Sequence, residues 1–69
     1  MEVTLLGTSP NLEMATLLVR RFYYSDSLTL EKIGSDDFWT VKKSSGQVIP
    51  GCRVIKAKNG RFRFEQVAQ

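Results

Sequence analysis

Lys56, Lys58, Arg61 and Arg63 stand at alternate positions on the two sides of Asn59-Gly60. Side chains of an extended chain alternate between faces. The four cations are therefore expected on one side of a short ribbon, where they could grip phosphate oxygens. A ribbon of this kind fits a DNA major groove or an RNA backbone. Phosphate contacts supply affinity and a steep dependence on salt, but they read no sequence. Lys42, Lys43 and Arg53 are further candidates for the same nucleic-acid contact. Two other uses of such charges compete with this one. Solvated lysines protect an edge strand from aggregation, and a positive ribbon also matches an acidic protein surface.

Asn-Gly between two alternating runs predicts a two-residue hairpin turn, because a type I′ turn needs φ > 0 at both central residues. That turn sets Lys58 opposite Arg61, Ala57 opposite Phe62, Lys56 opposite Arg63 and Ile55 opposite Phe64. Ala57, Ile55, Phe62 and Phe64 then share an apolar face, and the cations share the other. Like charges directly opposite one another destabilise a sheet, so tolerating two such pairs in succession points to an anionic ligand.

The rest of the composition narrows the function classes. Sixty-nine residues make a single small basic domain, 1–69. Its one cysteine, Cys52, can form no internal disulfide, and the absence of histidine leaves no ligand set for a structural zinc. The core must therefore be built from aliphatic and aromatic side chains, or be completed by a partner or a second copy. The net charge of +3 hides an asymmetry. Residues 1–40 carry six acids against three bases, a balance of −3, whereas residues 41–64 carry seven bases and no acid. A surface polarised in this way steers a polyanion or an acidic protein. No apolar run approaches the roughly 18 residues of a membrane span. No basic, apolar leader is visible, and the lone cysteine suits a reducing compartment, so a cytoplasmic location and no membrane association are expected. No nucleophile–base constellation or metal set is present, so neither an enzyme nor a cofactor is expected.

Four further features have a structural reading beside a functional one. Gly7-Thr8-Ser9 reads as a turn with a helix cap, in a context that also resembles a generic anion pocket but lacks P-loop spacing. Asp36 and Asp37 read as a solvated turn able to meet a basic partner. Phe38 falls on the face opposite Trp39 and is expected to be partly exposed, while Lys32 opposite Trp39 suggests a cation–π pair or a lysine stem over an indole. At Tyr23-Tyr24 one ring is expected to pack and the other, Tyr24, to project. Tyr24, Asp36, Asp37 and Phe38 are thus the candidate protein contacts.

The elements that must position these residues follow from periodicity. Residues 1–6 read as a first strand and residues 7–10 as a break, with Ser9 as N-cap and Pro10 at the first helical position. A helix is predicted from Pro10 to Tyr24, with Leu12, Ala15, Leu18, Val19 and Phe22 on one face. Leu28 to Ile33 and Phe38 to Lys43 read as strands joined by a four-residue turn, which pairs Lys32 with Trp39, Glu31 with Thr40 and Leu30 with Val41. Residues 47–49 form a short strand ending at a Pro50-Gly51 corner, the cationic hairpin follows, and residues 67–69 read as a frayed tail. The expected class is α+β: one amphipathic helix packed on a small, mostly antiparallel sheet in the order β-α-β-β-β-β. Its expected core joins the helix face to Leu30, Trp39, Val41, Ile55, Phe62 and Phe64. A winged-helix arrangement needs two or three helices, and only one is legible.

The expectation is a small non-enzymatic protein that binds nucleic acid or another polyanion through its basic hairpin. The alternative is an inhibitor or adaptor, phage- or host-encoded, that occludes a site on a larger protein. A homodimer through an exposed sheet edge or the Tyr23-Tyr24 region would support the thin core.

Overall fold

The computed structural model describes residues 2–68 of the chain. Its elements are β1 (Glu2–Ser9), α1 (Leu12–Tyr23), β2 (Thr29–Lys32), β3 (Phe38–Lys42), β4 (Val48–Lys56) and β5 (Phe62–Ala68). The five strands form one antiparallel sheet in the order β1-β5-β4-β3-β2, with the single helix packed on one face. This is the α+β class and the element order that periodicity predicts. Met1 and Gln69, placed at the ends of the first strand and of the tail, lie outside the described residues.

Helix α1 begins later than its composition suggests. Asn11, not Ser9, is the N-cap, and its side-chain oxygen accepts from the Met14 N–H at 2.8 Å. Ser9 is instead the last residue of β1, buried opposite Phe62. The expected break at residues 7–10 is therefore strand through Ser9. Gly7 lies in the strand rather than in a turn: a Cβ there would stand 2.7 Å from Leu18 Cδ2, so the bare backbone leaves room for the Leu18 side chain where it packs on β1. Glu13 in the first turn and Arg20 and Arg21 in the last complement the helix dipole. The helix ends at Tyr24, which adopts the left-handed region at φ 53, and the Ser25 N–H closes the turn on the Arg20 carbonyl.

The β2–β3 hairpin has the predicted register: Leu30 faces Val41, Glu31 faces Thr40 and Lys32 faces Trp39. The β4–β5 hairpin does not. Lys56 pairs with Phe62, Ile55 with Arg63, Val54 with Phe64 and Arg53 with Glu65, one residue away from the expected register. The turn is the cause. Ala57 N–H donates to the Arg61 carbonyl at 2.8 Å, the Gly60 N–H donates to the Ala57 carbonyl at 3.0 Å, and only Gly60 (φ 85) has positive φ in the loop. This is a three-residue turn closed by a glycine bulge, in which Asn59 keeps an ordinary φ, rather than a type I′ turn. A shift of one residue exchanges the faces of a strand.

Val54 accordingly takes the core place expected for Ile55. The buried core is Ala15 and Val19 from the helix, Leu28, and Trp39, Val41, Val54 and Phe64 from the sheet. Leu12, Leu18, Leu30 and Phe62 pack against it, but Phe22, expected inside, is half exposed. Residues 48–56 form one strand with irregular pairing to β3 around Gly51 (φ 81), not a short strand followed by a corner. Val67 and Ala68 pair with Val3 and Glu2 and so belong to the sheet, not to a frayed tail.

Candidate nucleic-acid interface

The shifted register disperses the expected cationic face. Lys56 lies on the helix-covered face beside Phe62, Lys58 sits in the turn, and Arg61 and Arg63 lie toward the uncovered face. Lys56, Lys58 and Arg61 are all exposed and flank Asn59-Gly60. None of the three is in an ion pair among the described residues. Arg61 is steadied locally: its N–H donates to Asn59 Oδ1 at 2.9 Å and its guanidinium Nη2 to Thr8 Oγ1 at 3.4 Å.

The deeper arginines are engaged. Glu65 is buried on the uncovered face, where Arg53 Nε donates to its Oε1 and Arg63 Nε to its Oε2, each at 3.0 Å. Arg53 also stacks over the Phe38 ring, 5.9 Å from its centroid. The two arginines satisfy an acid that would otherwise be buried without a partner, so Arg53 and Arg63 present less free charge than a count of residues implies. Two expected site residues lie elsewhere. Lys42 is held by Glu31 at 2.8 Å across β2 and β3, and Lys43 is exposed beside the β3–β4 turn, at the opposite end of the sheet from Asn59-Gly60. The seven candidate cations therefore form three groups: a free tip, an arginine pair on Glu65, and a lysine pair near the far end.

The expected protein contacts are likewise separated. Asp36 and Asp37 are exposed in the β2–β3 turn, and the Asp37 carbonyl accepts from the Lys56 N–H at 3.1 Å, which brings these acids near the basic tip. Phe38 is half buried under Arg53, on the face opposite Trp39, as alternation predicts. Lys32 lies 5.7 Å from the Trp39 ring centroid, the expected cation–π pair. Tyr24 is 97% exposed and shares a shallow depression with Leu17, Arg20, Arg21, Ser25 and Asp26 at the end of α1, away from the β2–β3 turn. Its neighbour Tyr23 packs inward, its hydroxyl against the Cys52 sulfur and its ring against Phe22. Burial and the Cys52 contact raise the Tyr23 hydroxyl above its ordinary pKa of 10.0.

The residue that sequence reasoning missed is Glu65. It appears in the chain as one acid after a basic run, and its pairing with Arg53 and Arg63 exists only in the observed register. Compared with known proteins, the chain matches no family model, no curated protein and no solved structure.

Proposed function

We propose that this is a non-enzymatic binding protein that sets the tip of the β4–β5 hairpin against the phosphates of a nucleic acid. The observation that supports this is the exposure of Lys56, Lys58 and Arg61 around one tight turn, with no acid paired to any of them among the described residues. The sheet gives the turn a stable base, and Arg61 is already oriented by Asn59 and Thr8. Arg63 and Arg53 flank the tip but are tied to Glu65, so they add field more than contact. Three phosphate contacts correspond to a slope of roughly −2 to −3 in log K against log salt. Binding to duplex DNA, single-stranded DNA and RNA, titrated across salt, tests the proposal. The Lys56→Glu/Lys58→Glu/Arg61→Glu variant should lose binding while keeping its circular dichroism. Absence of binding at low salt, or binding indifferent to salt, overturns it.

A protein partner is the second reading, and Tyr24 favours it. A non-glycine residue pays about 1–2 kcal/mol to sit in the left-handed region, and Tyr24 does so while almost wholly exposed. An aromatic ring held out at such a cost suits a contact with another protein. In that case Tyr24→Gly shortens the helix-end strain, raises thermal stability and abolishes co-purification of the partner from the native host. If Tyr24→Gly leaves the co-purifying proteins unchanged, this reading fails.

A further inference from the structure

The sheet is covered on one side only. Helix α1 lies on the face that carries Trp39, Val54 and Phe64, and among the described residues no helix or strand lies on the other. Register sets a row of side chains across that open face. Phe38 on β3 stands beside Ile55 on β4, Ile55 beside Arg63 on β5, and Arg63 beside Thr8 on β1, and residues directly opposite one another share a face. Phe38, Ile55 and Arg63 are each only partly buried. The row borders the hairpin tip: Arg61 Nη2 reaches Thr8 Oγ1, and the Lys56 N–H donates to the Asp37 carbonyl, one residue before Phe38. The next row holds Arg53 and Glu65, paired with each other across β4 and β5. Arg53 and Arg63 each donate Nε to the Glu65 carboxylate, which restrains the guanidinium and leaves its flat sides unbonded. Arg53 adjoins the Phe38 ring, 5.9 Å from its centroid. The flat side of a guanidinium, like that of a phenyl ring, stacks on a nucleobase.

We propose that this open face is a stacking platform for the unpaired bases of a single-stranded nucleic acid whose phosphates meet the hairpin tip. The inference rests on the phosphate-binding reading of the tip and narrows it to one class of nucleic acid. A duplex keeps its base faces stacked inside and brings only phosphates and groove edges to a sheet, whereas an unpaired strand can lay its bases on rings and guanidinium planes. Charge divides the row in the way such a ligand requires. Arg61 and Arg63 stand at its β5–β1 end, while Asp36 and Asp37, both exposed, precede Phe38 at its β3 end. Phosphate is drawn to the first end and repelled from the second. The sugar–phosphate chain is thereby placed along β5 and the tip, with its bases directed over Ile55 and Phe38. Arg63 and Phe38 are two strand spacings apart, about 10 Å, the reach of an extended nucleotide from its phosphate to its base. Phosphate contact and base stacking fall to different residues, so the two are separable.

Fluorescence anisotropy with labelled oligothymidylate, oligouridylate and a duplex of equal length, titrated across salt, tests the proposal; the two single strands tell DNA from RNA. The wild-type chain should bind at least one single strand roughly tenfold or more tighter than the duplex. Phe38→Leu keeps the apolar bulk and removes the aromatic face. It should weaken single-strand binding about fivefold or more while leaving duplex binding, the salt slope and circular dichroism unchanged. The tip variant Lys56→Glu/Lys58→Glu/Arg61→Glu should instead weaken binding to both and flatten the slope. If Phe38→Leu fails to fold, amide-shift mapping of the wild-type chain with oligothymidylate or oligouridylate, whichever binds tighter, decides: Phe38, Ile55 and Arg63 should move together with the tip. Equal affinity for single strands and duplex, undiminished single-strand binding by folded Phe38→Leu, or shifts confined to residues 56–61 would each overturn the platform and leave the phosphate-binding tip standing. Absence of binding to any of the three overturns both.

Discussion

Burial makes Glu65 the residue that controls what Arg53 and Arg63 can offer. Two guanidinium groups satisfy one carboxylate on an otherwise open sheet face, so the local charge is smaller and more rigid than the run of bases implies. Tyr23 is a second residue whose surroundings have a measurable result. Its hydroxyl resists ionisation in the folded chain, while in the unfolded chain it titrates near 10.0. Both forms are neutral below that value, so Tyr23 leaves stability unchanged there. As pH rises past it, the unfolded chain releases the proton first, and stability falls. The urea midpoint is therefore expected to drop between about pH 10 and pH 12, and Tyr23→Phe should flatten that drop; an identical pH profile in the variant would refute the assignment. At this scale, alternation was enough to place Lys32 on Trp39 and to put Phe38 on the other face. The Glu65 clamp was hidden because its arginines become neighbours only in one of two registers.

The two hairpins show when an element can be read. In β2–β3, only one register puts Leu30 and Val41 together on the inside, so pattern and turn agree. In β4–β5, Val54 and Ile55 are both apolar and either can fill the core, so the pattern does not choose. Asn59-Gly60 is compatible with a two-residue or a three-residue turn, and the bulged form won. The observed turn makes distinct demands on its two residues. Gly60 needs positive φ and meets nothing within 4 Å, so Gly60→Ala costs only conformational strain, about 1 kcal/mol. Asn59 needs no positive φ and accepts one hydrogen bond from Arg61, so Asn59→Ala costs about half as much. A type I′ turn would reverse this expectation for Asn59, since alanine there would be strained. Chemical denaturation of both variants separates the two cases. The helix N-cap and the end of β1 are ambiguous in the sequence for a related reason: Ser9 and Asn11 are both competent caps, and in the structure Ser9 stays paired with Phe62 in β1 while Asn11 caps the helix.

At the scale of the whole molecule, helix α1 sits over β1 and β5, and among the described residues a small core of seven buried apolar side chains lies beneath and beside it. The class and element order were readable because each amphipathic run buries one side and only one layered arrangement satisfies them all. The strand order was not, since β1 can join either edge of the β2–β5 meander. By joining β5, β1 takes a neighbour far along the chain: Ser9 pairs with Phe62 and Glu2 with Ala68. Closing a loop of that length costs about 2 kcal/mol more entropy than closing a short hairpin. Contacts of such wide separation slow folding. A circular permutant opened at Asp26, with Ala68 linked to Glu2, turns this pairing into a local one. It should refold several-fold faster in stopped-flow Trp39 fluorescence; an unchanged rate would place the barrier elsewhere. Until β5 arrives, a newly made β1 has no mate within its own molecule and presents Val3 and Leu5 to whatever is nearby. Expression at high concentration or temperature should therefore divert chains into aggregates through this first segment, before any defect in the finished structure is needed.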